Sequence, residues 1–397
     1  MKRTTHEVVN ETRKEFERLS AERQKAHLAK MKEFNHSESS SFYEKVKDNP
    51  EIEEIVKAEA ESGNPAAMLL ISRRFYNLGI ESEGTRWLKL AYVNGSGEAA
   101  FILGFDILDT DEKAAFSYLS AAFKRSHPGG TLALATLCGR TNAAMLGITE
   151  EDFQAIAKAS IDEADRISFE STLEALLPGT HPVQFIEDTG VPWGTGTLFL
   201  VEWKSHQFAI TATHVIEAAH AKPEQVNLLL PGREVPIPII KDQCVDFQDN
   251  KGEYLDIYGW ALDRNSDNNV AWYAWDLNHF WRPVTDLQVG QTLFVLGYPN
   301  TEEKIDYEKM EMQWHPLLVR GKLSEVGDDG YCTIDCADFS VDVDGMSGSP
   351  VFALFGGMYF FVGLAQWGGT VARKLHFLDS GKITLALDSF LETRLPS

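Results

Sequence analysis

The sequence is poor in cysteine and in positive charge, and it has no long apolar run. Cys138, Cys244, Cys332 and Cys336 are the only cysteines among 397 residues, too few for a disulfide framework. Cys332 and Cys336 lie close together, but no second metal-type pair stands beside them, so no zinc site is expected. Reduced, partly buried thiols in a cytoplasmic protein are the expectation. Lys and Arg total 37 against 59 Asp and Glu, a formal net charge of −22. Neutralising phosphates takes clustered cations, so neither nucleic acid nor an anionic membrane is an expected partner. No apolar run approaches the ~18 residues of a membrane span. The opening MKRTTHEVVNETRKEF lacks the apolar stretch of a secretory signal.

What is present divides the chain in three. Residues 1–60 are dense in charges of both signs and read as a helical extension. Residues 61–177 read as paired helices with a weak internal repeat. Ala66-Ala67-Met68-Leu69-Leu70 corresponds to Ala99-Ala100-Phe101-Ile102-Leu103, with Gly130-Thr131-Leu132-Ala133-Leu134 following in phase. Trp87-Leu88-Lys89-Leu90-Ala91 corresponds to Tyr118-Leu119-Ser120-Ala121-Ala122. Asn64-Pro65, Asp109-x-x-Glu112 and Thr149-x-x-Asp152 look like helix starts. Gly79 and Gly95 stand where helices should end. A long helix over about 150–176 closes the array, and Pro178-Gly179 ends the helical half. These units resemble Sel1-like repeats, relatives of the tetratricopeptide family, which implies an α-solenoid suited to binding a protein regulator or target.

From residue 183 the texture changes to short apolar runs between Gly, Pro, Asn and Asp turns, as in an all-β barrel or sandwich. Strands are expected over Thr197–Glu202, Phe208–Thr211, Val226–Leu230, Gln291–Leu296 and Phe360–Ala365. The aromatic group from Trp272 to Trp281 reads as barrel core or interface.

Three segments in this half carry chemistry. Ile210-Thr211-Ala212-Thr213-His214-Val215 follows Gly194-Thr195-Gly196-Thr197-Leu198-Phe199. Next comes Tyr254-Leu255-Asp256-Ile257-Tyr258-Gly259-Trp260, and last Asp344-Gly345-Met346-Ser347-Gly348-Ser349-Pro350. A serine hydroxyl is a weak nucleophile. It needs a base in hydrogen-bond reach, a carboxylate to orient that base, and N–H donors aimed at the developing oxyanion. The set resembles the chymotrypsin-like (trypsin-fold) serine protease superfamily: TATHV its histidine motif, GMSGSP its serine motif, LDIYGWAL its aspartate motif, all in the family's order. Val295-Leu296-Gly297-Tyr298-Pro299 and Val362–Gly368 resemble further strands of that fold, and Ala386–Leu395 its closing helix.

The resemblance implies a multidomain α and β protein, helical repeats followed by an all-β double barrel over 178–397, acting as a serine endopeptidase on protein or peptide substrates without a cofactor. It implies His214, Asp256 and Ser347 as catalytic residues and the N–H groups of Gly345 and Ser347 as the oxyanion hole. Asp246, Asp263 and Asp276 are alternatives to Asp256. Val341 would form the floor of the specificity pocket, favouring a small or apolar residue, although a shift of one or two positions would bring Asp342 or Asp344 there. Trp367 and Gly368 would line the substrate channel, with core packing the other reading of Trp367. Met346 departs from the Asp of digestive members, so another contact must organise the oxyanion hole.

Overall fold

The computed structural model describes residues 39, 42, 43, 45, 51–186, 192–194, 196–228, 237, 239–248, 254–263, 272–299, 305–306, 311–312, 315–336 and 344–394. It comprises two compact units, Met1–Ser171 and Thr172–Ser397. The first is helical and the second is rich in β-structure. Most of the charged extension 1–60 lies outside the described residues. Among those described, no helix is long and apolar enough to cross a membrane.

In the first unit the helices begin and end for local reasons. Asn64 caps the helix Pro65–Asn77, its Oδ1 accepting from the Ala66 and Ala67 amides at 3.0 and 3.4 Å. Ser96 caps Gly97–Asp106 through the Ala99 amide. Thr149 Oγ1 accepts from the Asp152 amide at the start of the long helix Glu150–Leu176. Gly79 and Gly95 follow helix ends at φ +74° and +97°, where a side chain would be strained. One start differs from expectation. Asp111, not Asp109, caps Glu112–Lys124, accepting from Ala114, while Asp109 pairs with Arg140 at 2.9 Å. Corresponding positions of the pairs are buried alike: Leu88 with Leu119, Ala91 with Ala122, Ala67 with Ala100. A Cβ on Gly130 would stand 2.4 Å from Ala122 Cβ, so glycine there permits close helix packing.

The second unit contains one closed barrel and one open sheet. In hydrogen-bonded order the barrel runs Leu317–Val326, Tyr331–Asp335, Lys374–Asp379, Met358–Gly369, Pro350–Phe355 and Thr292–Gly297. The sheet runs Thr180–Pro182, Thr197–Trp203, His206–Thr211, Tyr254–Leu262 and Ile239–Gln248, with Trp275–Asp276 beside Thr197–Trp203. Two barrels were expected; among the described residues the first sheet does not close. Of the expected strand Val226–Leu230, Val226 makes an isolated bridge with Phe185, and Leu229 and Leu230 lie outside the described residues. The closing helix is longer than expected, Ser380–Arg394, and buries Ile383, Leu387 and Phe390 at helical spacing.

Aromatic packing joins sheet and barrel. Phe199 and Trp275 from the sheet meet Phe352 and Phe361 from the barrel, with ring centroids 4.8–6.4 Å apart. Such pairs contribute roughly 0.5–1.5 kcal/mol each beyond area burial. Trp275 thus fulfils the core reading of its cluster.

His181, on the first strand of the sheet, is buried with neither ring nitrogen hydrogen-bonded. Burial outweighs the pull of the nearby Pro178 carbonyl and lowers its pKa to about 4. The unfolded chain therefore binds a proton on this residue at a pH where the folded chain does not. Stability contributed by the neutral ring is full above about pH 6.5 and is lost as pH falls towards 4, by about 3 kcal/mol. In urea unfolding at pH 7 and pH 4, His181→Leu should lose about that much less than the wild type; equal losses would refute this account.

Candidate functional site

Antiparallel pairing of His206–Thr211 with Tyr254–Leu262 sets Thr211 opposite Tyr258. Just beyond this register the chain turns into the short helix Thr213–Ala218, and His214 meets Asp256. Asp256 holds it at two points. Oδ1 accepts the His214 backbone N–H at 3.0 Å, and Oδ2 lies 2.6 Å from Nδ1. Both side chains are partly exposed, 38% and 27%. A carboxylate on Nδ1 keeps the proton there and leaves Nε2 as the basic nitrogen. Of the alternatives, Asp276 is engaged with His279 and Asn278. The Asp246 side chain lies outside the described residues.

Ser347 sits in a turn between the barrel and the sheet. Gly345 and Gly348 take φ +88° and +84°, conformations that favour glycine. The turn is pinned by Thr197, a fully buried residue. Its N–H donates to the Ser347 carbonyl at 3.0 Å, and its Oγ1 donates to the Gly345 carbonyl at 3.1 Å. The same Oγ1 accepts the Tyr298 N–H at 2.8 Å, and the Thr197 carbonyl accepts the Thr211 hydroxyl at 2.6 Å. One residue thus ties the serine turn to the strand that leads into His214. Met346, which cannot play the part of an aspartate, is buried in the barrel core. Among the described residues the N–H groups of Gly345 and Ser347, on either side of Met346, have no acceptor.

The structure brings His214 and Asp256 together but does not hydrogen-bond His214 to Ser347. The Ser347 hydroxyl instead donates to the Gln366 carbonyl at 2.7 Å. Gln366 is the extra residue of a bulge between Ala365 and Trp367. Its side chain is 0% exposed, and neither amide atom has a partner. An unsatisfied buried amide of this kind costs about 1–3 kcal/mol.

Trp367 is not core. It is 47% exposed, stacked on His376 at 5.3 Å and tilted against Tyr331 at 5.0 Å. Burial, then the charges of Asp256 and Asp329, push the Tyr331 phenol up. Gly368, on the same strand as Trp367, pairs with Leu375 of the neighbouring strand Lys374–Asp379. Val341 lies outside the described residues. Burial pushes the Cys332 and Cys336 thiols to about 12, with Asp379 and Asp335 adding to it, and raises Cys138. None is a thiolate nucleophile at neutral pH. Among the described residues no His, Cys, Asp and Glu group is placed to hold a metal ion.

No protein-family model matches the chain, and no curated protein matches it. Among solved structures it is similar to Rv3671c from M. tuberculosis H37Rv, a serine-to-alanine mutant in its inactive form, at 15% identity. That match covers 57% of this chain and 92% of the other, with a TM-score of 0.32. Likeness at that level carries no argument about fold or activity.

Thr197, Tyr298, Tyr331, His376 and Gln366 were not singled out beforehand as site residues. Thr197 belongs to the segment Gly194–Phe199, and its β-branched hydroxyl at a strand start is the signal the sequence offers. Thr197→Val preserves shape but leaves the Gly345 carbonyl and the Tyr298 amide without partners. Urea unfolding should show a loss of about 3 kcal/mol, and a loss under 1 kcal/mol would contradict the pinning role. At Gly348 an added Cβ would stand 2.0 Å from the Thr197 carbonyl oxygen and 2.4 Å from Thr211 Oγ1. Gly348→Ala should therefore destabilise by at least about 2 kcal/mol, read by the same unfolding measurement.

Proposed function

We propose that the C-terminal unit is a chymotrypsin-like serine endopeptidase and that the helical unit, as Sel1-like repeats, binds its protein target or regulator. The observation that carries the reading is the two-point hold of Asp256 on His214, the arrangement a general base needs to keep its tautomer and direction. Ser347 Oγ attacks the scissile carbonyl carbon while its proton passes to His214 Nε2. The carbonyl oxygen becomes an oxyanion facing the Gly345 and Ser347 amides. Collapse breaks the C–N bond, and His214 returns the proton to the departing amine. Water then enters by the same route and frees Ser347 with a carboxylic acid product. Trp367 and Gly368 border the substrate strand, and a small or apolar residue fits a pocket floored by Val341. The buried, non-ionised thiols suit a reducing compartment such as the cytoplasm.

A second reading has one specific observation in its favour. Because Ser347 donates to Gln366 and not to His214, the unit is compatible with a protease-fold scaffold that binds partners through its helices. A fluorophosphonate probe separates the two. The endopeptidase reading expects labelling that vanishes in Ser347→Ala and falls by about 10⁴-fold in Asp256→Asn. Absence of labelling in the wild type, with a casein or peptide-library digest also blank, supports the scaffold.

A further inference from the structure

A serine hydroxyl has one proton, and that of Ser347 is committed to the Gln366 carbonyl oxygen at 2.7 Å. The general base is otherwise in place, because Asp256 already orients His214. What the structure leaves unpaired with His214 is the Ser347 hydroxyl. Its acceptor is the bulged residue, and a bulge turns a peptide out of the regular ladder and re-aims its groups. The turn that brings the Gln366 carbonyl to Ser347 also buries the Gln366 side chain. Both ends of that side-chain amide are left without a partner.

We propose that this arrangement is a latched resting form, in which the Gln366 carbonyl holds the Ser347 hydroxyl away from His214 and the unpartnered Gln366 amide keeps the latch weak. The inference rests on Ser347 being the nucleophile. Gln366 is a positioning residue, acting through Ser347 without touching the scissile bond. Release is a shift of the bulge that turns the carbonyl aside and lets the amide reach water or a polar group. Only hydrogen bonds change, and the Ser347 O–H becomes free to donate to Nε2. The bulge thus has two states whose populations follow from the burial cost of one side chain.

The test is the kinetics of fluorophosphonate labelling of the full chain, resolved into probe affinity and maximal inactivation rate. Gln366→Met keeps the length and removes the burial cost, so the latched form gains. Its maximal rate should fall about tenfold with affinity unchanged, while its melting temperature rises. Gln366→Glu raises the burial cost, so its maximal rate at neutral pH should increase. A residue serving structure alone would slow both variants or neither. If wild type and both variants label at the same rate within twofold, the latch is wrong and the nucleophile stands. If the wild type does not label at all, Ser347 is not the nucleophile and the latch falls with it. Should Gln366→Met fail to fold, the direction of change in Gln366→Glu decides alone.

Discussion

The candidate site depends on what Thr197 joins. Its amide, hydroxyl and carbonyl each bond to a different part of the second unit: the serine turn, the start of the Tyr298 segment and the strand before His214. All but the partly buried Ser347 belong to buried residues, where an unmade hydrogen bond costs more than a made one contributes. Leaving any of them unpaired is therefore the expensive alternative, and the turn is held by that asymmetry. The glycines around it follow from the same closeness. A Cβ on Gly297 would stand 1.9 Å from Ser349 Oγ and 2.8 Å from Thr197 Oγ1. The chain can converge on Thr197 only where side chains are missing.

The two halves of the chemistry are built by different means. Asp256 lies on one strand and His214 on the short helix that directly follows its antiparallel neighbour, so their meeting follows from ladder register. Ser347 comes from a loop entering the barrel, and its hydroxyl takes its partner from a bulged barrel strand. Register fixes a pair tightly, since a slip of one residue would turn the whole strand over. A bulge is more easily moved. The His214–Asp256 pair is thus the rigid element, and the Ser347 hydroxyl is the adjustable one.

Legibility in the sequence divides along the same line. Local signals sufficed where the cause is local. The Asn64-Pro65 start, the glycine ends at Gly79 and Gly95, and the paired burial of Leu88 and Leu119 need only nearest neighbours along a helix. The Asp109 start failed because Arg140 from another helix claims that carboxylate, leaving Asp111 to cap. The His214–Asp256 meeting was visible because strand context flanks Asp256 on both sides. The exposure of Trp367 and the bulge at Gln366 were not. Both depend on how the strand Met358–Gly369 slips against Lys374–Asp379, a comparison of two segments that no single-segment pattern contains.

Thr197 also holds the turn on both sides of Met346, where the serine protease resemblance would set an aspartate. A charged pair at that position would hold the turn electrostatically. Here Met346 sits in the barrel core, and the Gly345 and Ser347 carbonyls on either side of it are drawn to Thr197. With these carbonyls held inward, the Gly345 and Ser347 amides are left unpaired among the described residues. The turn is therefore held at these two carbonyls by neutral hydrogen bonds and not by an ion pair. What remains variable is the direction of one hydroxyl, set by whichever oxygen, that of the Gln366 peptide or none, lies nearest to its proton.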